Sequence, residues 1–250
     1  MTSIQTSVDA MTDKIALIDQ WCSAARILPV ITIEREADIL PLADALAAGG
    51  LRVLEITLRS ALGLGAIRLL REQRPELIVG AGTVLDANML EQAEAAGAQF
   101  IQTQYCFDIP RLRDFMLKVN DLGLLEGPDR VFILPGIGPL ASARSARWIR
   151  ENVPGVHIPD AVIARLEGAK NQKEEGKRLC MDLLHQIREI PGVSGAHIMA
   201  YRQEHTVAEI IEGTGVLEGR VPWYPGRDNP KELNPESPDA LPEEPEQVSG

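Results

Sequence analysis

The sequence is poor in aromatic residues and in cysteine. Three tryptophans, three tyrosines and four phenylalanines occur among its 250 residues, so the core must be built mainly from Leu, Ile, Val and Ala. The three cysteines, Cys22, Cys106 and Cys180, show no Cys-x-x-Cys or other metal-type spacing. Isolated thiols of this kind are typical of a reducing compartment rather than of a disulfide framework, and they predict a cytoplasmic protein.

Long hydrophobic runs and an excess of positive charge are also missing. No apolar run approaches about 18 residues, which excludes a transmembrane helix. Residues 1–13 are polar and lack a hydrophobic region of the signal-peptide kind, so we expect no secretory signal. The formal net charge of −11 argues against binding to nucleic acid or to an anionic membrane surface. The four histidines share no metal-type spacing, so no metal site is predicted.

The last 25 residues differ from the rest in composition. Residues 226–250 contain seven acidic and two basic residues, a net charge of −5, together with five prolines and almost nothing apolar. Such a segment cannot bury enough surface to offset the entropy lost on ordering. We therefore expect a single folded domain over residues 1–225 and a disordered acidic tail over 226–250.

The first 104 residues read as repeated strand–helix units. After an apolar helical pattern at 9–24, short apolar strands alternate with amphipathic helices at roughly 22–25 residues per unit. Glycines follow several helices, and Asp86 is placed to cap one. The strands are expected at 27–33, 53–58, 77–84 and 100–104, and the helices at 37–48, 62–74 and 87–96. This alternation predicts a parallel sheet covered by helices.

The second half continues the pattern with longer spacers. Helices are expected at 110–119, at 142–152 with Trp148 and Ile149 on the buried side, at 161–166, at 170–190 and at 204–213. Two further strands are expected at 131–137 and 193–201, and residues 155–158 are the one other short candidate. The fold class is α/β, of (β/α) TIM-barrel type, and incomplete, because six clear parallel strands stand where a barrel needs eight.

In such a sheet, ligands collect at the carboxyl ends of the strands. Glu55, Thr57 and Arg59 alternate along one strand, so all three point to the same face. A partly buried Glu55 would have a raised pKa suited to proton transfer, and Arg59 could hold a substrate carboxylate. A structural ion pair between Glu55 and Arg59 explains the same pattern and stays open.

Two other strand ends carry weaker signals. The glycines before Thr83 bring the backbone close either to a ligand carboxylate or to a tight turn. Gln102 and Gln104 share one face of their strand by period, and their amides could bind the edge of a flat heteroaromatic ring or satisfy backbone groups at the strand end. His197 is expected to be a satisfied core residue.

Residues 14–101 resemble the N-terminal half of the 2-keto-3-deoxy-6-phosphogluconate (KDPG)/4-hydroxy-2-oxoglutarate aldolase family. The resemblance rests on four motifs, which are ILPVI at 27–31, GLRVLEITLR at 50–59, VGAGTV at 79–84 and AAGAQF at 95–100. It implies a (β/α)8 barrel, usually trimeric, that forms a Schiff base between a lysine and a 2-oxo acid. It also implies that Glu55 is the general acid/base and that Arg59 and Thr83 bind the substrate carboxylate.

The chain departs from that family where the covalent chemistry should be. The family's lysine lies in a Lys-Leu/Phe-Phe-Pro strand, and that motif is missing from this sequence. No lysine falls within a predicted strand. Loss of the amine nucleophile is expected to lower the rate by roughly 10⁴–10⁶, by analogy with other nucleophile removals.

Residues 97–224 resemble the C-terminal part of methylenetetrahydrofolate reductase. The motifs are FIQTQYCFD at 100–108, ILPGIGPL at 133–140, VHIP at 156–159, EGK at 175–177 and MAYRQE at 199–204. The resemblance implies a (β/α)8 barrel that carries a flavin, FAD, and it implies that Gln104 contacts the folate pterin. The sequence therefore reads as a chimera, with an aldolase-like half at 1–101 and a reductase-like half at 102–225.

Three functions follow as expectations. The first is an aldolase-type lyase on 2-oxo acids, without a cofactor and impaired by the missing lysine. The second is a methylenetetrahydrofolate reductase-like, flavin-dependent oxidoreductase of one-carbon metabolism with a folate substrate. The third is a non-catalytic chimeric barrel whose open edges drive self-association. The partners expected are a small molecule and further copies of the chain in a homo-oligomer, with no nucleic acid and no membrane.

Overall fold

Six parallel strands form the centre of the protein. A computed structural model describes residues 17–18, 20–22, 27–127, 130–200 and 203–216. The strands follow one another in the sheet in chain order, and together they make a half-barrel with helices around it. They are β1 (Val30–Ile31), β2 (Val53–Thr57), β3 (Ile78–Val84), β4 (Phe100–Tyr105), β5 (Phe132–Ile137) and β6 (His197–Ile198).

Eight α-helices lie within the described ranges from residue 27 onward. A 3₁₀ turn, Glu36–Asp38, precedes the first of them. The helices are α1 (Ile39–Ala48), α2 (Gly63–Gln73), α3 (Ala87–Ala95), α4 (Ile109–Asp121), α5 (Ala143–Asn152), α6 (Asp160–Glu167), α7 (Gln172–Arg188) and α8 (Glu204–Thr214). None of these helices is long and apolar enough to cross a membrane.

Local capping explains where several helices begin. Asp86 accepts a hydrogen bond from the Met89 backbone N–H at 2.8 Å at the start of α3. Asp108 accepts one from the Arg111 N–H at 3.1 Å at the start of α4, and Ser142 forms a reciprocal capping box at the start of α5. These side chains satisfy backbone donors that have no partner within the helix. The capping of α3 by Asp86 is therefore confirmed.

The main core lies between the sheet and the helices. Alternate strand residues such as Leu54, Ile56, Val79, Ile101 and Ile133 are fully buried there under the apolar faces of the helices. The helix patterns predict these faces well, with one exception. Trp148 was expected on the buried side of α5, but its exposed fraction is 61%, whereas Ile149 packs against the core. That prediction was wrong because one helical step of 100° separates the two side chains.

A second, smaller cluster lies on the inner face of the sheet. It contains Phe100, Phe132 and Leu134 with Ile18, and Trp21 packs against Phe132 in a T-shaped arrangement with 5.1 Å between ring centroids. A Cβ at Gly80 would overlap the Phe100 ring, so this glycine makes room for that inner side chain. The helix expected at 9–24 lies outside the described residues except for 17–18 and 20–22, which are helical.

The two edges of the sheet are short. The strands expected at 27–33 and 193–201 are reduced to Val30–Ile31 and His197–Ile198. In the described part of the chain, β1 pairs with β2 alone and β6 with β5 alone. Residues 155–158 contribute a single bridge, Cys106 with His157, instead of a further strand. The count of six parallel strands is confirmed.

The expected tail over 226–250 lies outside the described residues, as do all residues from 217 onward. The single domain over 1–225 accordingly stays a prediction.

Candidate active site

The candidate site lies at the carboxyl ends of β1, β2 and β3. Glu55 sits within β2 and is buried, whereas Arg59 follows β2 and is exposed. Thr83 lies near the end of β3 on the neighbouring strand. The structure thus brings together three of the residues expected from the sequence, in an order that runs from a buried carboxyl group outward to a cation. This order is typical of a binding site that is dry at its base and open at its mouth.

Glu55 is the most unusual residue of the site. Its exposed fraction is 3%, and its Oε2 atom has no hydrogen-bond partner among the described residues. The pKa of Glu55 is raised to about 7. Burial is the main cause, and it outweighs the positive charge of Arg59, which lowers the pKa. A carboxyl group with this pKa is present in both protonation states near neutrality, as a general acid/base requires.

Gly82 creates the space that Glu55 occupies. A Cβ on this glycine would overlap the Glu55 Oε1 atom, and Gly82 pairs in register with Thr57 on β2. The glycine therefore allows the carboxyl group to lie against the β3 backbone. The sequence pattern pointed to a close backbone approach at this turn but not to the side chain that approaches.

Arg59 is held by Thr83 and not by Glu55. Its Nε donates a hydrogen bond to the Thr83 Oγ1 at 2.9 Å. At the ends of β1 and β2, the hydroxyl groups of Thr32 and Thr57 lie 2.7 Å apart. No ion pair joins Glu55 and Arg59 in the described part of the chain, where the Glu55 Oε2 has no hydrogen-bond partner and Arg59 bonds to Thr83 through its Nε.

Thr83 has a strained backbone. Its φ of +61° is the one positive φ of a non-glycine residue in the described ranges. The left-handed region costs an L-residue about 1–2 kcal/mol, and β-branched residues are the least suited to it. Strain of this size at a strand end beside a buried carboxyl group is typical of functional sites.

A substitution at Thr83 tests that strain. Asparagine tolerates the left-handed region and still offers an oxygen to Arg59, so Thr83→Asn is expected to raise the free energy of unfolding by about 1 kcal/mol. Urea unfolding measures the change. Thr32→Asn, at a position with negative φ, is the control and should bring no such gain. A loss of stability in Thr83→Asn would show that the hydroxyl group matters more than the strain.

The raised pKa of Glu55 also predicts how stability depends on pH. The folded value is about 7 and the ordinary value is 4.5, so the folded state holds the proton more tightly. This contribution is fully present below pH 4.5 and is lost as the pH rises through about 7. The difference of about 2.5 units corresponds to about 3 kcal/mol. Urea unfolding across this pH range should show the free energy of unfolding falling in the natural chain. The Glu55→Gln variant lacks this carboxyl group, so its free energy of unfolding should not show this fall.

The two glutamines of β4 line different cavities. Gln102 is buried, its Oε1 atom has no partner, and it lines a large cavity on the inner face. Gln104 lines a pocket of about 60 Å³ with Tyr105, Cys106 and His157, and its Oε1 accepts a hydrogen bond from the Tyr105 N–H at 3.1 Å. The pairing of β4 with β5 shifts in register between Gln102 and Tyr105, so a simple period of two does not hold here.

The sequence did not predict that several buried polar atoms lack partners. The Ser60 Oγ atom, next to Arg59, and the Nδ1 atom of His197 are buried without a partner among the described residues. His197 was expected to be a satisfied core residue, and this was wrong, because its Nδ1 atom has no hydrogen-bond partner among the described residues. His157, by contrast, has a partner, because its Nδ1 lies 2.8 Å from the Asp108 Oδ2. No pattern in the sequence separates these histidines.

The described residues provide neither an amine nor a metal cluster at the site. Among them, Lys118 lies on α4, Lys173 and Lys177 lie on α7, and Lys170 precedes α7, all far along the chain from β1–β3. No group of three or more His, Cys, Asp or Glu side chains in the described ranges is arranged to hold a metal ion. The ionisable groups that β2 and the segment after it bring to this site are the Glu55 carboxyl group and the Arg59 guanidinium group.

Comparison with known proteins divides the chain in two. The family model for KDPG and KHG aldolase matches residues 18–107, and the model for methylenetetrahydrofolate reductase matches residues 81–215. Both resemblances found in the sequence are thereby confirmed. The two matches overlap over residues 81–107, which contain the end of β3, α3 and β4.

Curated relatives match part of the chain. The chain is 64% identical to the 2-dehydro-3-deoxy-phosphogluconate aldolase of Pseudomonas aeruginosa over 114 residues, which cover 46% of this chain and 50% of that protein. The chain spans about half the length of the curated relatives it matches.

Two solved structures are also similar. The 2-keto-3-deoxy-6-phospho-gluconate aldolase of Zymomonas mobilis is 27% identical with a TM-score of 0.42, over 72% of this chain and 84% of that one. An uncharacterised Clostridium thermocellum protein that binds 5-methyl-5,6,7,8-tetrahydrofolic acid is 11% identical with a TM-score of 0.48, over 78% of this chain and 96% of that one. The chain thus belongs, by a match over more than half its length, to the methylenetetrahydrofolate reductase family, and it is a chimera that carries a KDPG and KHG aldolase segment at residues 18–107.

Proposed function

We propose that the chain carries an aldolase-type site for 2-oxo acids in which Glu55 moves a proton at the carbon next to the carbonyl group. The observation that carries this proposal is the buried Glu55 carboxyl group, whose pKa is about 7 and whose Oε2 atom has no partner among the described residues. A structural carboxylate would be expected to have its oxygens paired. An unpaired one, balanced between its protonation states, is suited to exchange a proton with a ligand.

Arg59 and Thr83 supply the binding end of this site. Arg59 is exposed and fixed through its Nε by Thr83, which leaves the two terminal nitrogens of the guanidinium group for the substrate carboxylate. Such a pair fixes the orientation of a planar carboxylate. The 2-oxo acid would then lie with its carboxylate at the mouth and its C3 atom toward Glu55.

The proposed proton transfer needs no cofactor, because every electron pair and proton in it comes from Glu55 or the substrate. The Glu55 carboxylate takes a proton from C3 of the oxo acid, the C–H electron pair forms the enolate double bond, and the carbonyl oxygen takes the negative charge. Return of the proton restores the oxo acid, whereas attack of the enolate on an aldehyde forms the carbon–carbon bond of an aldol. Since no described lysine activates the carbonyl group as an iminium, we propose that the lyase activity is impaired and that proton exchange is the activity retained.

Proton exchange into pyruvate tests the proposal. The methyl protons of pyruvate in heavy water should be replaced by deuterium in the presence of the protein, as followed by proton magnetic resonance. Borohydride added to the same mixture should trap no covalent adduct on the chain. A trapped lysine adduct would contradict the part of the proposal that concerns the missing amine, and the absence of exchange would contradict the role of Glu55.

The alternative, a flavin-dependent reduction of a methylenetetrahydrofolate substrate at Gln104, receives less support from the geometry. The pocket that Gln104 lines has a volume of about 60 Å³, whereas sites for drug-sized ligands measure about 300–1,000 Å³. Its amide oxygen is also engaged by the Tyr105 N–H. Neither FAD nor a pterin fits beside Gln104 in this arrangement. A yellow colour of the purified protein would contradict this conclusion.

Self-association is a second proposal, and it is compatible with the first. At the open edge of the sheet, Ile27 and Val30 expose 64% and 54% of their surface. An exposed apolar edge strand favours pairing with another chain, so we propose a homo-oligomer. Light scattering over a range of concentrations should give a mass above that of one chain, and Val30→Lys should lower it. A cytoplasmic location stays a prediction from the sequence.

A further inference from the structure

A cavity of about 910 Å³ lies on the inner side of the sheet. Its walls come from both edges of the half-barrel, with Leu28 before β1 on one side and the segment around β6 on the other. Leu134 of β5 and the C-terminal turns of α7 and α8 complete it. The Glu55 site, by contrast, is formed at the carboxyl ends of β1–β3, and Glu55 is not among the residues that line this cavity.

The cavity follows from the number of strands. In a closed eight-stranded barrel, the side chains of the strands just fill the interior. In the part of the chain that the structure describes, six strands are present, and the first and last of them are two residues long. The inner face of β5 is consequently left without the neighbours that would cover it, and Ile18 with the small cluster on Phe132 fills only part of the space.

Two buried polar atoms lack partners in the wall of this cavity. Gln102 has an exposed fraction of 3%, and its Oε1 has no hydrogen-bond partner among the described residues. The Nδ1 of His197 is also buried and has no hydrogen-bond partner among the described residues. Burial lowers the pKa of His197, so its imidazole is neutral at physiological pH. Buried polar atoms are rarely left unpaired, and both therefore point to a missing hydrogen-bonding group.

The rest of the lining is mostly apolar, and its polar residues are Ser194, Thr214 and one charged residue at the edge. Leucine, isoleucine and valine side chains dominate, and Arg188, which is exposed, is the residue of the lining with a full charge at neutral pH. An apolar wall, a buried acceptor and a cation at the rim define one kind of ligand. It has a hydrophobic body, an O–H or N–H donor and an anionic end.

We propose that this cavity is a second binding site, for a small aromatic carboxylate that carries a hydroxyl or ring N–H donor. The ring packs against Leu134 and its apolar neighbours, the donor group gives its hydrogen to the Gln102 Oε1, and the carboxylate is attracted to Arg188. The Nδ1 of His197 pairs with the same polar edge of the ring or with a water molecule that the ligand retains. The proposal does not depend on activity at Glu55.

Three related probes separate the contributions. Calorimetric titration of the full chain should give saturable binding of 4-hydroxyphenylacetate. Phenylacetate lacks the donor and leaves Gln102 unpaired, so it should bind about tenfold more weakly. 4-Methylphenol lacks the carboxylate and should also bind more weakly, by a factor that shrinks as salt is added, because the attraction of an exposed cation is screened.

Substitutions then assign each contact. Gln102→Leu keeps the volume and removes the acceptor, so it should abolish the preference for 4-hydroxyphenylacetate over phenylacetate. Arg188→Gln should abolish the preference for the acid over 4-methylphenol. Arg178→Gln, an exposed position on the same helix that does not line the cavity, is the matched control and should leave all three affinities unchanged.

Specific results would overturn the proposal. One is that 4-hydroxyphenylacetate shows no saturable binding up to about 10 mM, a level that detects even a weak site. Another is that Gln102→Leu leaves the preference for the hydroxyl group intact in a variant whose unfolding transition shows that it folds. A rise in molecular mass with concentration that abolishes ligand binding would assign the cavity instead to a second copy of the chain.

Discussion

Replacing Glu55 with glutamine is expected to lower the rate of deuterium exchange into pyruvate by about 10²–10⁴-fold. This is the usual contribution of one positioned acid/base. Glutamine has nearly the same shape and fits the space beside Gly82, but it cannot accept a proton. Because the charge of Glu55 is absent from the variant, folding should not suffer, and the loss of exchange can be assigned to chemistry.

The pH dependence makes this prediction sharper. Only the ionised form of Glu55 takes a proton, so with a pKa of about 7 the exchange rate should rise with pH up to about 7 and then level off. Glu34→Gln changes an exposed carboxylate just after β1 and is the matched control, with an unchanged rate and profile. Exchange in Glu55→Gln at the rate of the natural chain would remove Glu55 from the mechanism.

Replacing Gly82 with alanine is expected to damage both stability and activity. The new Cβ would overlap the Glu55 Oε1 atom, and both residues are buried. Either the carboxyl group leaves its position or the β3 backbone shifts, at a cost of about 1–3 kcal/mol in the free energy of unfolding. Exchange into pyruvate should fall together with stability. Urea unfolding and the exchange assay on the same preparation measure the two effects.

Gly65→Ala provides the matched control for the same chemical change. Gly65 lies within α2, and a Cβ there would meet no atom within 4 Å. Alanine is favoured over glycine inside a helix by about 0.5–1 kcal/mol, so this variant should be more stable than the natural chain and equally active. If Gly82→Ala and Gly65→Ala changed stability and exchange rate equally, the contact between Gly82 and Glu55 would be unimportant.

Local signals in the sequence were sufficient to predict most of the fold. Apolar periodicity predicts β2, β3 and β5 to within a residue or two of their observed ends, and Asp86 marks the start of α3 as observed. These features depend on neighbours in the chain. The edge strands β1 and β6 were expected to be longer, because the length of a paired strand depends on its partner, and each of these has a single partner in the described part.

The residues of the candidate site could be predicted from the sequence, but the contacts that they make could not. Strand period placed Glu55 and Arg59 on one face, and the structure shows that Arg59 bonds to Thr83 and that Glu55 lies against Gly82. The left-handed conformation of Thr83 and the register shift along β4 arise from packing between strands. The large cavity beside Gln102 was not predicted either, because it depends on how the six strands of the described ranges leave their inner face uncovered.

The carboxyl titration of Glu55 tests the central claim most directly. In a chain with ¹³C-labelled glutamate side chains, the Glu55 carboxyl resonance can be assigned by its loss in Glu55→Gln and followed by magnetic resonance from acid to alkaline pH. A carboxyl group buried on the inner face of an open six-stranded sheet should titrate with a pKa of about 7. Titration near the ordinary value of 4.5 would show that Glu55 is solvated or paired, and would contradict the proposed site.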